Sequence, residues 1–295
     1  MRSVASFRVV ILVTWSLMAG GCSDGDGGTE SPTSPTPAAG GRVSYTAIGA
    51  SDTAGIGSSV ECFPFSPCAN GMGWVQLLQR RLQQNGETAF LNLGVPGAVL
   101  SPAIEELGRK VNRTYPGNFL TNQSPFTPPG TTVVTVFAGG NDANTIAQVV
   151  QAQQAGDDPR GFIDQQVGKW GEDYAALVRA IRQRAPNARI VVLNLPNLAA
   201  LPYLARNSTF EKSIMQRVAV GLSERANALA GPNVHVVDLM CDARFLEASS
   251  LSADGFHPSD RGYALMAELA YPAMVNPAHP APPPDCGQKR LFPPF

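Results

Sequence analysis

Five short apolar runs, rich in β-branched or aromatic residues, recur along the chain. They are Arg42-Val-Ser-Tyr-Thr-Ala-Ile48, Ala89-Phe-Leu-Asn-Leu93, Thr131-Thr-Val-Val-Thr-Val-Phe137, Ala188-Arg-Ile-Val-Val-Leu193 and Val234-His-Val-Val-Asp-Leu239. The third is a near-continuous β-branched run, as expected of a strand buried on both faces of a parallel sheet. Between the runs, apolar residues return at helical spacing: Trp74, Leu77, Leu78 and Leu82 share one face, and helices are expected over about 162–184, 210–229 and 259–270. Strands that alternate with helices predict an α/β fold: a three-layer α/β/α sandwich around a five-stranded parallel sheet with right-handed crossovers.

Ahead of the first run, Arg2 and Arg8 precede an apolar stretch, Val9 to Met18, that is too short to span a bilayer and is followed by Ala19-Gly-Gly-Cys22. This is the layout of a cleaved export signal. Its ending resembles a bacterial lipobox, which implies cleavage after Gly21, diacylation of Cys22 and a membrane-anchored lipoprotein on the periplasmic or cell-surface face. The alternative is an ordinary secretory signal with an incidental cysteine. Residues 23–41 are Gly, Ser, Thr, Pro and Asp with almost no large apolar group, so they cannot offset the entropy of ordering and read as a flexible tether. The expected organisation is a signal at 1–21, a tether at 22–42, one catalytic domain at 43–276 and a Pro-rich tail or wrap at 277–295.

A formal net charge of -1 with 15% charged residues offers no basic face for a phosphate backbone, so nucleic acid is not an expected partner. The chain has three histidines, His235, His257 and His279, none in a metal-ligand spacing, so neither metal nor cofactor is expected. With Cys22 set aside, Cys62, Cys68, Cys241 and Cys286 make an even number that suggests two disulfides outside the reducing cytosol. Three pairings are open. Cys62 with Cys68 would close a short loop, and Cys241 with Cys286 would pin the tail; unpaired buried thiols are the alternative.

In parallel sheets ligands bind beyond the carboxyl ends of the strands. Polar or glycine residues stand just there: Ser51 after the first run, Gly97 after the second, Asn141 after the third, and Asp254 with His257 after the fifth. A serine hydroxyl needs a base to accept its proton, and His257 lies in the turn-rich segment Ser252-Ala-Asp254-Gly-Phe-His257-Pro. A carboxylate three residues earlier can orient the imidazole. His235 reads as a packed strand histidine and His279 as part of the tail.

Four blocks resemble the SGNH branch of the GDSL esterase and lipase family: Gly49-Ala-Ser51-Asp-Thr-Ala-Gly-Ile-Gly57, Asn92-Leu-Gly-Val-Pro-Gly97, Gly139-Gly-Asn141-Asp142 and Asp254-Gly-Phe-His257-Pro258. The resemblance spans about residues 43–272 and implies a flavodoxin-like hydrolase fold. It implies a Ser51, His257, Asp254 triad and an oxyanion hole from the Ser51 and Gly97 backbone N–H groups with the Asn141 amide. Two positions depart from the family pattern: Ala50 replaces the Asp before the nucleophile, and Pro96 precedes Gly97, leaving Gly94 as a second candidate. Asp52 and Asp142 are expected to support their loops. The stretch Leu193-Asn-Leu-Pro resembles one that lines the cleft in relatives, and Phe63, Phe65, Phe119 and Phe126 suggest an apolar rim. The implied activity is hydrolysis of acyl or acetyl esters of small molecules, lipids or glycans by a monomer. The competing readings are a surface lipoprotein that binds glycan or lipid without turnover, and a transacylase.

Overall fold

The computed structural model describes residues 42–64 and 68–295. The expected signal, the Cys22 anchor and the tether apart from Arg42 lie outside the described residues. All five expected strands form: β1 (Val43–Gly49), β2 (Thr88–Asn92), β3 (Val133–Phe137), β4 (Arg189–Leu193) and β5 (Val234–Val237). They make one parallel sheet in the order β2-β1-β3-β4-β5. Every residue of β3 and β4 is buried, which is why those runs lack alternation. The fold is therefore the α/β sandwich read from the sequence.

The helices are α1 (Ser51–Ala54), α2 (Trp74–Gln83), α3 (Pro102–Arg109), α4 (Gly140–Gln151), α5 (Pro159–Arg184), α6 (Thr209–Asn227) and α7 (Asp260–Val275). Their ends follow local chemistry. Asp158 accepts from the Gly161 N–H with Pro159 at the first helical position of α5. Ser208 and Glu211 form a reciprocal capping box on α6. Helix α7 runs past the expected end at Ala270 and through Pro272 to Val275. β5 stops at Val237, two residues short of its apolar run, because the Leu239 and Met240 N–H groups turn to the Asn194 side-chain oxygen at 2.6 and 3.1 Å.

Helix α2 packs on α7 over one face of the sheet, and α4, α5 and α6 pack together in the other layer. Chain order places β1 and β3 side by side while their following helices diverge, which opens a crevice at their carboxyl ends.

Disulfides join Cys62 to Cys68 and Cys241 to Cys286. The second holds the Pro-rich end, which then lies along α6: Gln216 donates to the Phe292 carbonyl at 2.8 Å and accepts from its N–H at 3.0 Å. Disulfides persist in oxidising compartments, which points to export. No helix among the described residues is long and apolar enough to cross a membrane.

Candidate active site

Ser51 is the first residue of the four-residue helix α1, directly after β1. The preceding Gly49 is held by a residue far along the chain. The Gln123 amide donates to the Gly49 carbonyl at 2.9 Å and accepts from its N–H at 3.0 Å, so the strand end is clamped by a side chain that mimics a ladder partner. No sequence signal marked Gln123, which stands in a segment without a recognisable pattern.

His257 and Asp254 come from one tight loop. Gly255 has φ of +69°, and a Cβ there would lie 2.9 Å from Pro202 and the Tyr203 nitrogen, so glycine alone suits the position. The loop closes through the Ser252 N–H on the His257 carbonyl at 2.8 Å. Asp254 Oδ1 accepts from the Ser252 hydroxyl and the Phe256 and His257 N–H groups at 2.8, 2.8 and 2.9 Å. Asp254 Oδ2 meets His257 Nδ1 at 2.6 Å, and His257 Nε2 meets Ser51 Oγ at 2.9 Å. Hydroxyl, imidazole and carboxylate thus stand in one hydrogen-bonded row across 206 residues of sequence separation. Partial desolvation raises the Asp254 pKa, but the bonds from His257, the two backbone N–H groups and Ser252 outweigh it and hold the carboxyl well below its usual range.

Of the three expected anion-binding donors, Ser51 and Asn141 line one cavity, and Gly97 precedes Ala98, which lines it too. Gly97 lies in the loop after β2 with φ of +85°, a left-handed conformation that glycine adopts without strain. Its N–H has no acceptor among the described residues, whereas the Gly94 N–H is occupied by Asn92 Oδ1 at 2.9 Å. Asn92 itself ties the site together, donating to the Thr53 and Cys62 carbonyls at 3.2 and 3.1 Å. Asn141 is the second residue of α4 and donates one amide hydrogen to the Ala98 carbonyl at 3.0 Å, leaving the other for a ligand. Ser51, Ala98 and Asn141 line one small cavity together with Phe137 and Phe256.

Asp142 supports its loop as expected. Its Oδ1 accepts from the Leu100 N–H at 2.9 Å and from the Trp170 indole at 3.0 Å. One turn further along α5, Asp173 accepts from the Ser101 hydroxyl at 2.6 Å, so α5 holds the loop that carries Gly97 directly through Asp173 and indirectly through Trp170 and Asp142. Burial drives the Asp142 pKa up from 3.8 to about 6, against the opposing pull of the Leu100 N–H, the indole, its own N–H and Arg113. Between those values the folded chain binds more protons than the unfolded one, so the stability contributed here falls as pH rises through that window. Asp142→Asn keeps an oxygen for Leu100 and Trp170. Relative to the wild type it is expected to gain up to about 3 kcal/mol between about pH 4 and about pH 8, read from urea unfolding at both. A pH-independent difference between the two proteins would contradict this.

Asp52 has a different place: burial raises its pKa against the opposing pull of His257 and of its own backbone N–H. Of the phenylalanines expected at a rim, Phe63 and Phe126 are exposed, Phe119 is buried beside Ser51, and Phe65 lies outside the described residues. His235 and His279 face each other at 6.0 Å between ring centroids, away from the Ser51 cavity. Among the described residues no group of three or more His, Cys, Asp or Glu is arranged to hold a metal ion.

The model of the GDSL-like lipase/acylhydrolase family matches residues 47–265. A lipase from a goat rumen metagenome is structurally similar at 23% identity, with 79% of this chain and 98% of that one covered and a TM-score of 0.54. An extracellular lipase from Streptomyces rimosus is similar at 18% identity, with 80% and 100% covered and a TM-score of 0.52. At such identities the likeness speaks to the fold. No curated protein matches the sequence.

Proposed function

The chain belongs to the GDSL-like lipase/acylhydrolase family, and from that premise we propose that it is a serine esterase that hydrolyses carboxylic esters through Ser51, His257 and Asp254. The observation that carries the reading is the Ser51–His257–Asp254 row, with contacts of 2.9 and 2.6 Å. His257 Nε2 takes the Ser51 proton as Oγ attacks the ester carbonyl carbon. Asp254 fixes the tautomer by accepting the Nδ1 proton and stabilises the imidazolium that forms. The carbonyl oxygen, now an oxyanion, receives the Ser51 and Gly97 N–H groups and the second hydrogen of the Asn141 amide. Collapse of the tetrahedral species breaks the bond to the alcohol oxygen, which leaves with the His257 proton. Water, deprotonated by the same imidazole, then releases the acid and restores Ser51.

The direct test is labelling by a fluorophosphonate, which phosphonylates an activated serine. Label on the Ser51 peptide is expected; an unlabelled wild-type protein that turns over no ester would favour a binding protein. For the oxyanion role, Asn141→Ala is expected to lower kcat by about 10²- to 10³-fold with little change in KM, measured on p-nitrophenyl butyrate. A loss confined to KM would remove Asn141 from that role.

The amino-terminal segment supports export and tethering through a lipid on Cys22, with the ester substrate met at the membrane face by a monomeric domain. Cys22→Ser is expected to move the protein from the membrane fraction to the soluble one. Retention of the variant with the membrane would exclude Cys22 as the anchor.

A further inference from the structure

β2 ends at Asn92, while β1 runs on to Gly49, two residues before Ser51. Gln123 reaches the strand end from 74 residues away: its amide oxygen accepts from the Gly49 N–H at 3.0 Å, and its NH₂ donates to the Gly49 carbonyl at 2.9 Å. A Cβ on Gly49 would lie 2.0 Å from Thr53 Oγ1, so the residue can be held only through its backbone. Ala50 supplies no side-chain hydrogen bond at the start of α1. Among the described residues, Gln123 is the one side chain that hydrogen-bonds the Gly49 backbone. The segment that carries Gln123 is also tied to the loop that carries Gly97. The Phe119 N–H donates to the Val99 carbonyl at 2.9 Å, the Leu120 N–H to the Leu100 carbonyl at 3.1 Å, and the Val99 N–H to the Gly117 carbonyl at 3.3 Å. A π-helical turn, Phe119–Gln123, then brings Gln123 inward. Asn118 braces that turn, accepting from the Thr121 N–H at 2.9 Å and donating to Glu105 of α3 at 3.1 Å. One short stretch of chain thus grips the backbone two residues before Ser51 and two residues after Gly97.

Resting on the esterase reading, we propose that Gln123 is a positioning residue for the reaction: it fixes the turn into Ser51 against the loop of Gly97, and so sets the spacing of the two backbone donors that receive the oxyanion. Gln123 acts through Gly49 and touches no substrate. Phe119, at the other end of the same turn, lines the Ser51 cavity, and Gln123 does not. Two features suit an amide to this task. Its donor and acceptor lie in one plane, so the pair of bonds holds the Gly49 peptide in a single orientation, where one bond would leave it free to pivot. It is also buried, at 2% exposure, so water does not compete for either bond. Donors of this kind accelerate the reaction only when they already stand where the charge will form. A displacement of about 1 Å costs about 100-fold in rate, which is why a group remote from the ester can matter to turnover.

The test uses two variants of the full chain. Gln123→Met keeps the length of the side chain and loses both bonds. On p-nitrophenyl butyrate its kcat, counted per fluorophosphonate-titrated serine so that unfolded molecules drop out, is expected to fall about 10- to 100-fold with KM within about twofold of the wild type. A trifluoromethyl ketone, which adds reversibly to a serine and leaves its oxygen as an oxyanion, is expected to bind more weakly by the same factor. Gln123→Glu tests the bonds without changing the shape. Its acid form can donate to the Gly49 carbonyl and accept from the N–H, whereas its ionised form sets a negative charge against that carbonyl. Burial raises a carboxyl into the neutral range, so the kcat of this variant relative to the wild type is expected to rise as pH falls from about 9 to about 6. A Gln123→Met enzyme within about threefold of the wild-type kcat, or a loss confined to KM, overturns the proposal. A Gln123→Glu ratio that is flat across that pH range overturns it too. In each of these cases labelling of the wild type at Ser51 keeps the esterase reading, whereas a wild type with neither labelling nor turnover overturns that reading and the role of Gln123 with it.

Discussion

Ser51→Ala is expected to lower kcat on p-nitrophenyl butyrate by at least about 10⁴-fold and to abolish fluorophosphonate labelling, because no other hydroxyl can form the acyl-enzyme. What survives is the acceleration that bound water would draw from the remaining donors at Gly97 and Asn141. Folding should be nearly untouched. Ser51 contributes one hydrogen bond to His257 at 2.9 Å, worth about 1 kcal/mol net. A thermal unfolding curve close to the wild type, together with lost turnover, is therefore the expected pair of results. Ordinary turnover in the variant would end the case for Ser51.

Asp254→Asn is expected to cost about 10⁴-fold in kcat at neutral pH, although it exchanges one oxygen for a nitrogen. The direction follows from the donors around the carboxylate. Oδ1 already accepts from the Ser252 hydroxyl and from the Phe256 and His257 N–H groups. The Asn oxygen must occupy that position, which turns its NH₂ toward His257 Nδ1. Nδ1 then has to accept, the ring proton moves to Nε2, and the nitrogen facing Ser51 can no longer take a proton. Labelling should slow in parallel with turnover while KM stays close to the wild type. A loss of less than about tenfold would show that Asp254 does not set the tautomer.

Much of the candidate site is legible in the sequence because its residues sit at strand ends, and strand ends are written locally. Asp254 and His257 are three residues apart with Gly255 between them, so a single turn can join them. Ser51, Asn141 and the glycines of the block from Asn92 to Gly97 each follow an apolar run whose length and β-branching define a strand. The helix at 102–109 carries no clear sequence signal: it is only eight residues long, and its buried Ile104 and Leu107 make too short a pattern to stand out. The end of β5 is not legible either, because Leu239 continues the apolar run but gives its N–H to Asn194, a partner outside the strand.

By itself the sequence determined the five strands, the longer helices between them and hence the parallel α/β sandwich, since hydrophobic period and chain order depend on neighbours within a few turns. It also determined which side chains could react. Tertiary structure decided everything that depends on residues meeting from afar. It chose one of three cysteine pairings, set Gln123 against Gly49, and left the Gly97 N–H open while occupying that of Gly94. It also lined one apolar cavity with residues from six separate stretches of the chain, from Asp52 to Met266. Those outcomes follow from packing, which joins surfaces with no mark on the chain to say which will touch.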